Sequence, residues 1–244
     1  MGAYQLILVA LLALTASIIQ SIAGFGFGIL AMIFLPHILL YTEANVLSTM
    51  LSLMTSLVVA ITLRKKISKK NIIFPVIGFF ISMVLSVNLV KAQRNETLFL
   101  LLGIALFALS IYFLFFSNKV KIKPTWYAGI IAGLCSGVMG AFFSMSGPPA
   151  VVYFAQSEED SDKYLATVSA YFFFADSISA TAKMSAGFAT KNVFIAFAIG
   201  ITGMALGSVI GKRFRNKIKP DTLKKLIYGL MAVGGVVNIV TSLI

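Results

Sequence analysis

Reactive side chains are scarce in this chain. It has one cysteine, one histidine and one tryptophan in 244 residues, and charged residues make up only 11%. A lone cysteine, Cys135, excludes an intrachain disulfide and a cysteine-based metal cluster. A lone histidine, His37, excludes the paired-histidine spacings of zinc sites, and no haem or nucleophile-elbow motif occurs. No metal or cofactor is expected. His37 stands near the end of an apolar stretch and reads as an interfacial polar side chain. Acidic residues are few as well: eight, against 20 basic ones, for a formal net charge of +12. Soluble domains have about 25% charged and about 45–50% apolar residues. Here the hydrophobic share is 59% and the mean hydropathy +0.97. A soluble enzyme of ordinary composition, a disordered chain and a disulfide scaffold are all excluded.

What is there instead is a series of long uncharged runs. No charged residue precedes Glu43, and further uncharged runs cover 44–63, 71–90, 97–118, 124–157, 192–211 and 226–244. About 20 helical residues cross a hydrocarbon core of about 30 Å. The runs predict an all-α, polytopic helical membrane protein. The alternating ten-residue segments of a membrane β-barrel are missing. Leu6–Leu14 looks like the apolar part of a signal peptide, but no positive residues precede it and the stretch runs on past Gly28. It reads as the first membrane segment.

The chain repeats itself at a spacing of roughly 121 residues. Segment 44–63 corresponds to 165–184, Lys70-Asn71 to Lys191-Asn192, and Ser82 and Ser86 to Gly203 and Gly207. Ile18–Gly24 resembles Leu134–Gly140, somewhat out of that phase. The expected organisation is a first transmembrane repeat over 1–117, a basic linker over 118–124 and a second repeat over 125–244. Loops 64–70, 118–124 and 212–225 hold fifteen of the basic residues. Basic loops stay in the cytoplasm. That puts all three on the inner side and loops 91–96, 158–162 and 190–191 on the outer side. The basic residues do not lie on one surface patch, so nucleic acid is not an expected partner; the lipid bilayer is. Each half must then cross an odd number of times, and the halves are inverted repeats. The long run 125–157 must return to the face it left or make two short crossings. The same holds for 3–42. Each half thus combines a glycine-broken helical hairpin with about three spanning helices.

The interruptions are Gly24-Phe25-Gly26-Phe27-Gly28, followed by Pro36, and Gly140 through Ser144-Met145-Ser146-Gly147-Pro148-Pro149. Interrupted helices in inverted repeats mark transporter binding sites. A half-helix that starts after such a break aims free N–H groups and a positive dipole end into a cavity, which suits an anion. Close helix packing is the competing reading of the glycines. The early position of both breaks favours the site. The fourfold-spaced series Gly129, Gly133, Gly137, then Gly203, Gly207, Gly211, then Gly78, Ser82, Ser86 reads as packing.

Two charges fall inside a membrane segment: Asp176 and Lys183. An intramembrane ionisable residue is a functional candidate. Seven residues apart, they share a helix face with Ser179 between them, about 10 Å apart along the axis. That is too far for a direct salt bridge. Lys183 is a candidate anion ligand and Asp176 a candidate proton-coupling group. Gln20 and Ser21, just before the first break, are further candidates for the cavity. Asn45, Ser48, Thr49, Ser52, Thr55 and Ser56 form a polar stripe at helical spacing, read either as a pathway lining or as interhelical hydrogen bonding. Trp126 and Tyr127 read as interface anchors. Glu158–Asp162 reads as a solvated outer loop.

Ala23-Gly24-Phe25-Gly26-Phe27-Gly28 with Pro36, and Gly137-Val138-Met139-Gly140 with Pro148-Pro149, resemble the TauE/SafE family of sulfite and organosulfonate exporters. The resemblance covers nearly the whole chain. It implies transport of a small sulfur-containing or carboxylated anion across the bacterial inner membrane. The expected function is therefore secondary transport of a small anionic substrate, with coupling protons as a further partner. A membrane scaffold or a lipid-modifying enzyme is the alternative. The candidate substrate-binding residues are Gln20, Ser21, Gly24, Phe25, Gly26, Phe27, Gly28, Ser144, Ser146, Gly147, Pro148 and Lys183, with Asp176 for coupling.

Overall fold

The computed structural model describes residues 1–115, 122–158, 160–215, 217–218 and 220–243. Much of the expected linker, 118–121, and Glu159 of the acidic run lie outside these residues. Among these residues ten α-helices follow one another: α1 (Ala3–Ala23), α2 (Phe27–Phe34), α3 (Tyr41–Thr62), α4 (Lys69–Lys91), α5 (Asn95–Phe115), α6 (Trp126–Phe143), α7 (Gly147–Ser157), α8 (Ser161–Ser185), α9 (Lys191–Phe214) and α10 (Pro220–Leu243). No strand occurs among the described residues. Among the described residues, seven helices are long and apolar enough to cross a membrane: α1, α3, α4, α5, α6, α9 and the Lys225–Ser242 part of α10. The 25-residue α8 is long enough too, but it carries Asp162, Lys163, Asp176 and Lys183 and is correspondingly polar. The protein is a multi-pass membrane protein.

Its surface and interior are distributed as lipid demands. Leu85 on α4, Leu206 and Val209 on α9 and Val233 on α10 are exposed, while Ser17, Ser48, Thr49, Thr55, Ser56 and Ser136 are buried. Lipid tails are as apolar as leucine, so helices associate through close contact and internal hydrogen bonds instead. The small-residue series supply that contact. A Cβ on Gly133 would stand 2.1 Å from the Pro75 carbonyl oxygen, and one on Gly78 would stand 2.2 Å from that of Ile130. This locks α6 to α4. In the same way Gly203 meets the Ala10 carbonyl and Gly207 that of Leu14, which locks α9 to α1. Each hairpin's first helix thus packs on a helix of the other half. α3 lies along α8, and α5 along α10. Exchanging the halves leaves these pairings unchanged.

Both glycine-rich breaks turn the chain back. Gln5, at the start of α1, donates to the Ile38 carbonyl beyond α2. In the second half the Tyr153 hydroxyl of α7 lies against Gly129 in the first turn of α6, and the Ile122 N–H meets the Gln156 side chain. Of the two routes open from sequence, return to the starting face is the one taken. The break positions also correct the repeat register. Gly24 closes α1 and Ser144 closes α6, each with positive φ and with its N–H on the carbonyl four residues back. The equivalent of Gly24 is therefore Ser144, not Gly140.

The acidic run corrects the expected sidedness. Lys66 Nζ lies 2.6 Å from Asp162 Oδ2, Asn71 donates to Glu158 at 2.8 Å, and Lys163 pairs with Glu158 at 3.0 Å. The acidic residues thus share the end of the bundle occupied by the basic loop 64–70. Once the hairpin α6–α7 returns to its own face, the segment after it must lie there. Bonded to Asp162, the exposed Lys66 ammonium has its pKa held above the ordinary lysine value. At the opposite end Thr190 donates to Glu43 at 2.6 Å, and His37 Nε2 lies 3.1 Å from Asn238 Oδ1.

Candidate functional site

The two breaks meet in the middle of the bundle. A Cβ on Gly28 would stand 1.9 Å from the Ser144 carbonyl oxygen, and one on Gly147 would stand 3.4 Å from Phe25 Cβ. The backbone at Gly24 and Gly26 is left-handed, with φ of 83° and 110°. L-residues with a Cβ avoid this region, so glycine is needed for α1 to end and α2 to begin within three residues. Ser144 takes the same conformation at φ 53° without being glycine. Its hydroxyl is held by Thr49 Oγ1 at 2.8 Å. A side-chain partner for a residue in such backbone is the usual companion of strain at a site.

α2 and α7 both start here. Gly26 and Ser146 are their N-caps, and neither is capped by a side chain. The N–H groups of Phe27, Gly28 and Ile29 have no partner in their own helix, whose first cap bond is Leu30 N–H to Gly26. These donors and the positive dipole end face the break region. α7 contributes less. Pro148 and Pro149 have no N–H, so its first turn offers that of Gly147. The cavity between the breaks measures about 20 Å³. That holds about one water molecule. Its walls are Phe25, Gly26, Phe27, Gly28 and Ile29 from the first break, Ser144, Met145, Ser146 and Gly147 from the second, and Gln20, Ser52 and Phe172 beside them.

Behind this wall lie the two membrane-embedded charges. Asp176 Oδ2 accepts from Ser52 Oγ at 2.7 Å. Gln20 Oε1 lies 3.3 Å from the same hydroxyl, and Gln20 Nε2 donates to Ser56 Oγ at 2.7 Å. Lys183 is fully buried and donates to Thr49 Oγ1 at 2.7 Å. It does not snorkel to an interface. No ion pair joins Asp176 to Lys183 among the described residues, as their spacing predicts. Ser48 of α3 and Ser179 of α8 are buried hydroxyls without a partner among the described residues. Asn45 donates to the Ala141 and Phe142 carbonyls at 3.0 and 2.9 Å, satisfying the end of α6 at the second break. Within the polar stripe of α3, Ser52 lines the cavity, and Asn45 and Thr49 bond neighbouring helices.

Of the sequence candidates, Gln20, Phe25, Gly26, Phe27, Gly28, Ser144, Ser146 and Gly147 converge on the cavity. Four do not reach its wall. Ser21 packs against Gly211 of α9, and Gly24 against Leu165 and Val168 of α8. Pro148 lines an outer groove of about 570 Å³ with Pro149 and Cys135. Lys183 stands one hydroxyl further back, behind Thr49. Phe172, Met145 and Ile29 were not singled out from sequence. Ile29 lies in the apolar α2, Met145 within the second break and Phe172 on α8, and nothing in the spacing of these apolar side chains marks them.

The comparisons with known proteins bear on this arrangement. The chain matches no curated protein and no solved structure significantly. Residues 9–237 match the family of the sulfite exporter TauE/SafE, whose members are transporters rather than enzymes. Both breaks, all the cavity-lining residues and both buried charges fall within that match, and the chain belongs to the TauE/SafE sulfite exporter family.

Proposed function

We propose that the protein is a secondary transporter of a small sulfur-containing or carboxylated anion, seated in the bacterial inner membrane with loops 64–70, 118–124 and 212–225 in the cytoplasm. The observation that carries this reading is the meeting of two half-helix starts without side-chain caps at one small cavity between the breaks. An anion there gains fixed N–H donors from α2, the Gly147 N–H and the hydroxyls of Ser144 and Ser146. Lys183, acting through Thr49 and Ser144, supplies positive charge from behind. Burial strengthens each of these contacts, because the local dielectric is low. Asp176 is the coupling group, taking up a proton as the anion binds.

Residues 1–117 and 125–244 serve as inverted halves, and the exchanged pairings of α1 with α9 and α6 with α4 support that view. A cavity of about 20 Å³ is too small for an oxyanion of sulfur, so the halves must move to admit one. Rocking of one half against the other around the central site opens it to each face in turn. Flux of labelled sulfite, thiosulfate and isethionate into proteoliposomes containing only this protein tests the proposal. Flux that saturates and is abolished by Gly26→Val supports it. No flux of any of these or of small carboxylates, from folded protein, refutes it and leaves the scaffold reading.

A further inference from the structure

We propose that Ser52 is a proton-controlled switch, a specificity-determining residue whose single hydroxyl hydrogen is handed either to Asp176 or to the transported anion. The proposal rests on the anion-transport reading above and deepens it.

The geometry turns on one hydrogen and three acceptors. Ser52 lines the cavity. Its Oγ is 2.7 Å from Asp176 Oδ2 and 3.3 Å from Gln20 Oε1. A serine hydroxyl has one hydrogen and two lone pairs, whereas an ionised carboxylate can only accept. While Asp176 is charged it claims that hydrogen, since the shorter, charge-assisted bond is the stronger one. Ser52 then turns only lone pairs toward the cavity, which repel an anion. Gln20 cannot supply the missing donor. Its Nε2 is committed to Ser56 Oγ at 2.7 Å and to the Ser52 carbonyl at 3.5 Å. That carbonyl only accepts, so the amide orientation is set and Oε1 must face the hydroxyl.

Protonating Asp176 reverses the order. The carboxyl now carries an O–H and donates it to Ser52 Oγ. The serine hydrogen is released, to Gln20 Oε1 when the cavity holds no anion and to the anion when it does. The charged acceptor outcompetes the amide oxygen. One proton enters from solvent and leaves to solvent, and no other bond changes. Proton and anion therefore occupy the site together and move in the same direction.

Among the described residues, no other ionised group is placed to do this. On α8 the nearby titratable side chains are Lys183, engaged by Thr49, and Tyr171, five residues before Asp176. Facing α8, α6 and α7 carry no charged residue, and Cys135 of α6 lines the outer groove. The only charged residue of α3 is Glu43, bonded to Thr190 far from Ser52. The lysines of α4, Lys69, Lys70 and Lys91, sit at its ends. α1, which brings Gln20, has no charged residue.

The test measures binding and proteoliposome flux of thiosulfate and isethionate, whose own charge is constant from mildly acidic to mildly alkaline pH. In the wild type, affinity rises on acidification by about ten- to hundredfold, the worth of one hydrogen bond to a charged partner. Asp176→Asn, whose amide donates permanently to Ser52, holds the acid-state affinity at every pH and exchanges anion without being driven by a proton gradient. Ser52→Ala loses the acid-state gain and becomes independent of pH, although Asp176 is intact. Ser52→Cys, with a weak donor, lies between and carries the test if Ser52→Ala fails to fold. A merely structural serine would lower the melting temperature and leave the pH dependence in place. Wild-type pH dependence in folded Ser52→Ala or Asp176→Asn overturns the switch, as does flux driven by sodium and indifferent to pH. Saturable flux without any pH dependence overturns the switch alone. Absence of flux overturns the transport reading itself.

Discussion

Gly28→Ala is the sharpest perturbation of the junction between the two breaks. The added Cβ would stand 1.9 Å from the Ser144 carbonyl oxygen and 3.7 Å from Met145 Cα. A carbon–oxygen contact closes at about 3.3 Å, so the two backbones must separate by about 1.4 Å. No rotamer change can relieve this, because both obstacles are main chain. Overpacking a tight site costs about 1–3 kcal/mol, and an obstacle made of backbone argues for the upper half of that range. In a chain of this size each kcal/mol lowers the melting temperature by about 2–4 °C. The expected fall is therefore about 4–12 °C for detergent-purified protein followed by tryptophan fluorescence or aggregation onset. Gly229→Ala is the control, since a Cβ there meets nothing within 4 Å. It should leave the melting temperature unchanged or raise it slightly, as alanine favours helix. The separation also shifts the α2 N–H groups relative to Ser144, so anion flux should be lost in Gly28→Ala even at temperatures where the variant is folded. Two results would refute the reasoning. One is an unchanged melting temperature. The other is wild-type flux in a variant with the expected loss of stability, which would separate the junction from the transport site.

Lys183→Met should weaken anion binding at least about tenfold while leaving stability equal or higher, because a buried ammonium with one hydroxyl partner carries a large desolvation cost; isothermal titration and thermal melting read the two effects separately. Thr49→Val should reproduce the binding loss, since it removes the hydroxyl that connects Lys183 to Ser144; normal affinity in that variant would show that the lysine acts directly. Gly24→Ala should destabilise by about 1–2 kcal/mol from its left-handed backbone, and more from a Cβ 2.8 Å from Val168 Cγ1; a melting temperature equal to wild type would contradict the cap geometry. The Lys66–Asp162 pair should act on the rate of opening at its end of the bundle more than on stability, being exposed and open to salt. Because the lysine pKa is raised, its contribution is complete below the ordinary lysine value of 10.5 and disappears only as pH rises past the raised value. Lys66→Ala should therefore change flux kinetics equally from neutral to mildly alkaline pH, and high salt in the wild type should mimic it in a stopped-flow flux assay.

Much of this was open to reading from the chain alone, and the reasons are physical. A bilayer penalises every charge and every unpaired backbone group, so membrane helices announce themselves as uncharged runs and breaks in them as glycine and proline clusters. The same penalty singled out Asp176 and Lys183. It also made the fourfold-spaced glycines interpretable as contact faces, which the Gly133–Pro75 and Gly203–Ala10 approaches bear out. Periodicity put Thr49 and Ser52 on one helix face but could not rank them against Ser48 or Thr55. Phe172 was invisible, one phenylalanine among 21.

What the tertiary structure decided was everything that depends on residues far apart in sequence. Composition cannot tell a helix that crosses from one that turns back. The bond from Gln5 to Ile38 and the contact of Tyr153 with Gly129 do, and through them the acidic run moves to the face of Lys66. Local similarity aligned Gly24 with Gly140, whereas the left-handed caps align it with Ser144. The candidate list likewise divides only in three dimensions. Ser21 and Gly24 pack against α9 and α8, Pro148 lines the outer groove, and Lys183 stands behind Thr49. Local sequence encodes the cost of each residue in lipid, and that cost determined class, segments and the two suspicious charges. Which side chains meet is set by helices of one half packing on helices of the other, and no local pattern carries that information.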